Sequence, residues 1–199
     1  VVGGGEVGRG CLAGAVVSAG VVLKKRKIPK IITDSKLLSP EQRNSAYEWV
    51  MRNSYWGIGV VHHRHIDQEN IYQSTLRSMR RAYEQLLMVL PEAPGTVLVD
   101  AMPLILPYEV PVYAFCYGET RSVSIAAASI VAKVMRDNLM HSYEVSFPYH
   151  GLGAHKGYST PLHMLKIKEH GAALIHRTTF IAAQTSQEKS EQQSLFGDL

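Results

Sequence analysis

Three carboxylates stand in settings that point to chemistry rather than to solubility. Asp100 closes the apolar run TVLVD, and an acid at the C-terminal end of a sheet strand sits where α/β folds gather their reactive groups. Glu6 ends a predicted first strand within GEVGRG, where missing side chains let a ligand backbone approach closely. Asp137 follows Lys133 by one turn of a long helical segment. Each has a plainer reading: a cap or solvated turn for Asp100, an exposed turn for Glu6, a surface ion pair for Asp137. Grouped, they suit phosphodiester cleavage, which needs an attacking water and a leaving alkoxide stabilised at once; magnesium ions held by a few carboxylates do both. Arg9, Lys36, Lys133, Lys156 and Tyr158 lie in short polar motifs outside the apolar periodicity. They are candidates for nucleic-acid contacts, with solvated surface as the alternative.

The elements that must position these groups are legible in the patterning. CLAGAVVSAGVVL (11–23) and YWGIGVV (55–61) read as strands, the first covered on both faces. Ser39, followed by Pro40 and by Gln42 at the capping-box position, predicts a helix over 40–52. Leu76, Met79, Tyr83, Leu86 and Leu87 recur at helical spacing and predict a second helix over 71–90. Strands follow at 96–100 and 111–117, then a long Ala-rich helix over 121–145. Its segment IAAAS is small on every face, so this helix can lie close against a sheet or a nucleic-acid backbone. FPYHGLGAHKGY (147–158) reads as an ordered loop, and Thr160 with Pro161 caps a helix ending near Gly171. The order of strands and helices implies an α/β sandwich around a mixed sheet. The expected division is a core over 1–146, a C-terminal loop and helix over 147–183, and a flexible polar tail over 184–199.

With 199 residues, 46% of them hydrophobic, one sizeable core is expected. No apolar run approaches the roughly 20 residues that a membrane span requires, and no export leader is apparent, so a cytoplasmic protein is expected. Cys11 and Cys116 make neither a disulfide framework nor a zinc motif and read as buried free thiols. A net charge of +4 suits a polyanionic partner without requiring one.

The motifs GRG with LAGAVV, DSKLLS, VLVD, SIAAASIVAKVMRD, HKGYSTPLH and HRTTF occur in the order found in ribonuclease HII. Over about residues 1–181 the chain resembles that prokaryotic type 2 ribonuclease H family. The resemblance implies a ribonuclease H-like α/β fold: a central five-stranded mixed sheet, flanking helices and a C-terminal helical substrate-binding part. It implies an endonuclease that cuts the RNA strand of RNA:DNA hybrids and the 5′ side of ribonucleotides embedded in DNA, using Mg2+ or Mn2+. It places Glu6, Asp100 and Asp137 at three of four acidic catalytic and metal positions. It assigns Gly8, Arg9 and Gly10 to the ribose 2′-hydroxyl, Tyr158 to the sugar at the RNA-to-DNA junction, and Ser35, Lys36 and Lys156 to backbone phosphates. It implies a monomer.

The chain departs from the family pattern at the first acid. The motif that usually reads Asp-Glu-Ala-Gly-Arg-Gly is here Gly5-Glu6-Val7-Gly8-Arg9-Gly10, so Gly5 stands at a position that by resemblance contacts both metal ions. Glu119 replaces the aspartate of Lys-Gly-Asp and is not expected to fill the gap; Ala101-Met102 replaces Gly-Asn. The alternative function is therefore a catalytically impaired protein that still binds hybrids and junctions. His62, His63 and His65 lack acids or thiols at ligand spacing and read as a solvent-facing loop. His176 and Arg177 read as a structural hydrogen-bonding pair or a phosphate contact. In the tail, Gln192, Leu195 and Phe196 resemble a short sliding-clamp docking motif, for which a polar leash ending in Leu-Phe is suited.

Overall fold

Glycine recurs along the first strand because a helix lies directly on it. In the computed structural model, which describes residues 1–24, 27–107 and 109–184, a Cβ on Gly3 would sit 2.0 Å from the carbonyl carbon of Ser124. The strands are β1 (Val2–Val7), β2 (Val16–Leu23), β3 (Ser54–Val61), β4 (Val97–Asp100) and β5 (Val112–Phe115). The helices are α1 (Pro40–Asn53), α2 (His63–Glu69), α3 (Ile71–Leu87), α4 (Gly118–Arg121), α5 (Val123–Ser146), α6 (Leu152–His155) and α7 (Pro161–His170). The sheet order is β3-β2-β1-β4-β5. β1 pairs antiparallel with β2 and parallel with β4, so the sheet is mixed and five-stranded as expected.

Opposite faces of the sheet carry different cores. On one, Ala126 to Ala128, Ile130 and Val131 of α5 pack with Ala46 and Val50 of α1 against Ala19 and Val21. Small side chains keep α5 close to the strands, so the IAAAS segment serves the sheet. On the other, Leu76, Met79, Tyr83 and Leu86 of α3 cover Val2, Val97 and Val99. Burying one such leucine contributes about 2 kcal/mol. The capping box at Ser39 is formed, with Ser39 Oγ accepting from the Gln42 amide and Gln42 Oε1 from the Ser39 amide. Thr160 caps α7 as expected.

Four expectations need correction. β2 begins at Val16, because residues 8–15 form a loop anchored to the C-terminal part by isolated bridges, Cys11 to Tyr158 and Ala13 to His176. The stretch after β5 breaks into α4 and α5. The histidine tract is the start of α2, where His62 accepts from the His65 amide and His65 pairs with Glu69 at 3.1 Å. Cys11 is buried but Cys116 is exposed.

Residues after α5 pack onto its C-terminal half through Met140, Leu152, Ile175 and Ala13. Behind this contact lies a histidine cluster: His163 Nε2 is 2.9 Å from His176 Nε2, and His155 stacks on His163 at 3.9 Å. Burial pushes both His163 and His176 down to about 4. Among the described residues no helix is long and apolar enough to cross a membrane. The tail expected over 184–199, with Gln192, Leu195 and Phe196, lies outside the described residues except for residue 184.

Candidate active site

Two acids meet at the ends of the central strands. β1 runs parallel to β4 with Gly3 beside Leu98 and Gly4 beside Val99, and continuing this register sets position 5 beside Asp100. Position 5 faces α5, where a Cβ would lie 2.5 Å from Ser129 Oγ. Glu6 is half-buried. Burial pushes its carboxyl up to about 7; the Arg9 guanidinium, 3.6 Å away, opposes the shift, and the like charge of Asp100 adds to it. Its Oε2 is buried without a hydrogen-bond partner. Asp100 Oδ1 accepts from the Gly118 amide at 2.8 Å, which holds the start of α4 against the end of β4.

The third acid at this place is Glu119. An open cavity of about 390 Å³ is lined by Asp34, Lys36, Asp100, Cys116 and Glu119 among others. Glu119 is buried, lies within hydrogen-bonding reach of Asp34 and of the same Ser129 that faces position 5, and meets Lys36 Nζ at 3.4 Å. Burial raises its pKa and the bond with Asp34 adds to the rise, while that same bond holds Asp34 low. The sequence did not lead us to expect Glu119 in this gap, because an acid after a glycine in a short turn carries no periodic signal. Its place in YGE, where a related motif ends in aspartate, was the available clue.

Asp137 is not brought to this pocket. It lies a little over two turns beyond Ser129 on α5, about 12 Å along the axis, and pairs with Lys133 at 2.8 Å. Its neighbours are Lys156 and Tyr158, on whose ionisation its charge acts. These form a second group: Lys133 lies 5.4 Å from the Tyr158 ring and Arg136 5.6 Å. Burial pushes the Tyr158 phenol up to about 12, and the Cys11 thiol within its reach contributes. The exposed tip Arg9-Gly10, next to Cys11, links the two groups. Lys36 stands exposed at the rim of the pocket, whereas Ser35 is buried and offers its carbonyl to Arg43 at 3.2 Å.

The side chains of His176 and Arg177 both bond within the protein. Arg177 is fully buried, and its guanidinium donates to the carbonyls of Gly8, Arg9 and Gly14 at 2.7 to 3.1 Å. Arg136, equally buried, donates to Ala13, Ala15 and Lys156. Gly8 takes φ +99°, and a Cβ there would strike Arg136 Nε at 2.1 Å, so this guanidinium demands glycine.

Among the described residues no group of three or more His, Cys, Asp or Glu side chains is arranged to hold a metal ion. The acids engage their own partners instead: Glu6 with Arg9, Asp100 with the Gly118 amide, Glu119 with Lys36. The donor chemistry still fits a hard divalent cation, since these are carboxylate oxygens and the orphaned Glu6 Oε2 lacks a partner that such an ion supplies.

The family model described as ribonuclease HII matches residues 2–183. The ribonuclease HII of Listeria monocytogenes serotype 4b is 43% identical over 88% of this chain and 65% of its own length, so this chain spans just under two thirds of that relative. The ribonuclease HII of Chlamydia trachomatis serovar A is 40% identical over 94% of this chain and 84% of its own. The fold resembles that of the ribonuclease HII solved in a complex with PCNA from Archaeoglobus fulgidus, with a TM-score of 0.73 at 24% identity, over 89% of this chain and 93% of that one. With its mixed five-stranded sheet, its flanking helices and a family match that runs through nearly all the described residues, the chain belongs to the ribonuclease HII family.

Proposed function

We propose that this protein is a metal-dependent endoribonuclease that cleaves the RNA strand of RNA:DNA hybrids and the 5′ side of ribonucleotides embedded in duplex DNA. The observation that supports it best is the buried, partnerless Glu6 Oε2 beside Asp100, one turn of chain from the Gly8-Arg9-Gly10 tip. Glu6 and Asp100, with Glu119, which lines a cavity together with Asp100, in place of the expected Asp137, would hold Mg2+ or Mn2+. A bound ion of this kind supplies a deprotonated water and charge stabilisation on the phosphate. The chain's own groups do the rest. Lys36 at the rim and Lys156 beside Tyr158 would draw in backbone phosphates, the Gly8-Arg9-Gly10 tip would meet the ribose 2′-hydroxyl, and Tyr158 would pack on the sugar at the junction. The products would carry 5′-phosphate and 3′-hydroxyl ends, and the enzyme would act as a monomer.

Gly5 favours a second reading, a binding protein that recognises the junction without cutting it. A cleavage assay on a duplex with one embedded ribonucleotide, in Mg2+ and in Mn2+, separates the two. Cutting that disappears in Asp100→Asn, a change that keeps the oxygen acceptor for the Gly118 amide, supports the enzyme. Tight binding without cutting in either metal supports the second reading. We further propose that Gln192, Leu195 and Phe196 dock on a sliding clamp, as the Archaeoglobus relative's assembly with PCNA encourages.

A further inference from the structure

Two fully buried guanidiniums sit beneath the loop of residues 8–15, and among the described residues neither makes an ion pair. A buried charge without a counter-charge is expensive and is retained only where several hydrogen bonds satisfy it. Arg177 spends its donors on carbonyls of a single loop: Nη2 on Gly8 at 2.7 Å, Nη1 on Arg9 at 2.8 Å, and Nε with Nη2 on Gly14 at 3.1 and 3.0 Å. Its own amide donates to the Leu12 carbonyl at 2.7 Å.

In a trans peptide unit the C=O and the following N–H point in opposite directions, and no cis bond occurs among the described residues. Drawing the Gly8 and Arg9 carbonyls inward therefore turns the amides of Arg9 and Gly10 outward. These residues are exposed, and among the described residues nothing accepts from either amide. Two successive outward N–H groups over a buried positive charge make a receptor for an oxygen acceptor.

We propose that Arg177 is the positioning residue of the ribose sensor: it pulls two carbonyls in so that the Arg9 and Gly10 amides face the 2′-oxygen of a ribonucleotide. This rests on the reading of the Gly8-Arg9-Gly10 tip as the 2′-hydroxyl contact. Arg177 itself touches no substrate and acts through the loop. Lysine does not substitute, because one ammonium lacks the fork that spans Gly8, Arg9 and Gly14 together.

The test is a ratio of affinities, measured in EDTA so that nothing is cut, for a duplex with one embedded ribonucleotide and for the same duplex in DNA. The wild-type protein prefers the ribonucleotide duplex. Arg177→Lys lowers that preference about ten-fold, the worth of one to two hydrogen bonds, with DNA affinity kept. Leu86→Ala, a core change on the far helix, loses stability yet keeps the ratio, which a merely structural role for Arg177 would also do. A wild-type ratio near one overturns the ribose reading itself; a high ratio unchanged in Arg177→Lys overturns the role of Arg177 alone. If Arg177→Lys does not fold, amide exchange on the wild-type protein decides. Arg9 and Gly10 amides that exchange fast when free and slow with the ribonucleotide duplex support the proposal, and amides already protected in the free protein refute it.

Discussion

Placing an aspartate at position 5 restores the acid that the family pattern carries there, and the structure says what this costs. The new Cβ meets Ser129 Oγ at 2.5 Å, the Ser129 amide nitrogen at 3.0 Å and its Cα at 3.2 Å. Retreat of strand β1 from α5 is opposed by its pairing with β2 and β4 and by the α3 core on the other face. Overpacking of this kind costs about 1–3 kcal/mol. In Gly5→Asp with Ser129→Ala the 2.5 Å contact is gone, and only contacts that a small shift relieves are left, so all but roughly 1 kcal/mol returns. The carboxylate would stand next to Asp100, where a further ligand worth about 3–4 kcal/mol of transition-state stabilisation raises cleavage by about 10² to 10³. Both variants should be melted with and without Mg2+ and assayed on a duplex with one ribonucleotide. The expected result is a lower melting point for the single variant, recovery in the double variant, and in both a melting point raised by Mg2+ more than that of the parent. A single variant as stable as the parent, with no gain in cutting and no response to Mg2+, would refute the placement of position 5 beside a cation site.

Three further outcomes follow from the same geometry. His163 and His176 are held neutral at about 4 against about 6.5 when unfolded. The unfolded chain thus takes up protons first, so their contribution is full above pH 6.5 and is lost as pH falls towards 4. Melts of Glu6→Gln, which lacks the opposing contribution of the raised Glu6 carboxyl, at pH 7, 5.5 and 4.5 should show a loss of about 2–4 kcal/mol for the pair, and a flat profile contradicts it. Gly59→Ala should unfold the protein or cost more than about 4 kcal/mol, because the new Cβ would lie 1.8 Å from the Ser78 carbonyl oxygen; a normal melting curve would show that α3 sits further from β3. A peptide of the tail should bind a sliding clamp and lose binding when Leu195 and Phe196 become alanine, and equal binding by both peptides ends that idea.

The strands, the helix caps and the long helix were legible because each is written in local spacing. Ser39 with Gln42, and Thr160 before Pro161, announce helix starts through residues one to three positions away. Asp100 and Glu6 were legible as strand-end acids. Glu119 was not, since its partners Lys36 and Asp34 lie far back in the chain and a lone acid in a turn resembles any other. Asp137 is similar in type to Glu6 and Asp100, and it is the pitch of α5 that carries it about 12 Å along the axis from Ser129. The roles of Arg136 and Arg177 left the faintest trace. Their partners are carbonyl oxygens, which every residue carries, so no sequence pattern records the contact.

The two cysteines, so unlike in exposure, make the protein unusually easy to instrument. Cys11 is sealed in the interior, and Cys116 is open to solvent on the wall of the cavity that holds Asp100 and Glu119. A maleimide dye would attach there alone, with no residue replaced, and its fluorescence would register whatever enters that cavity.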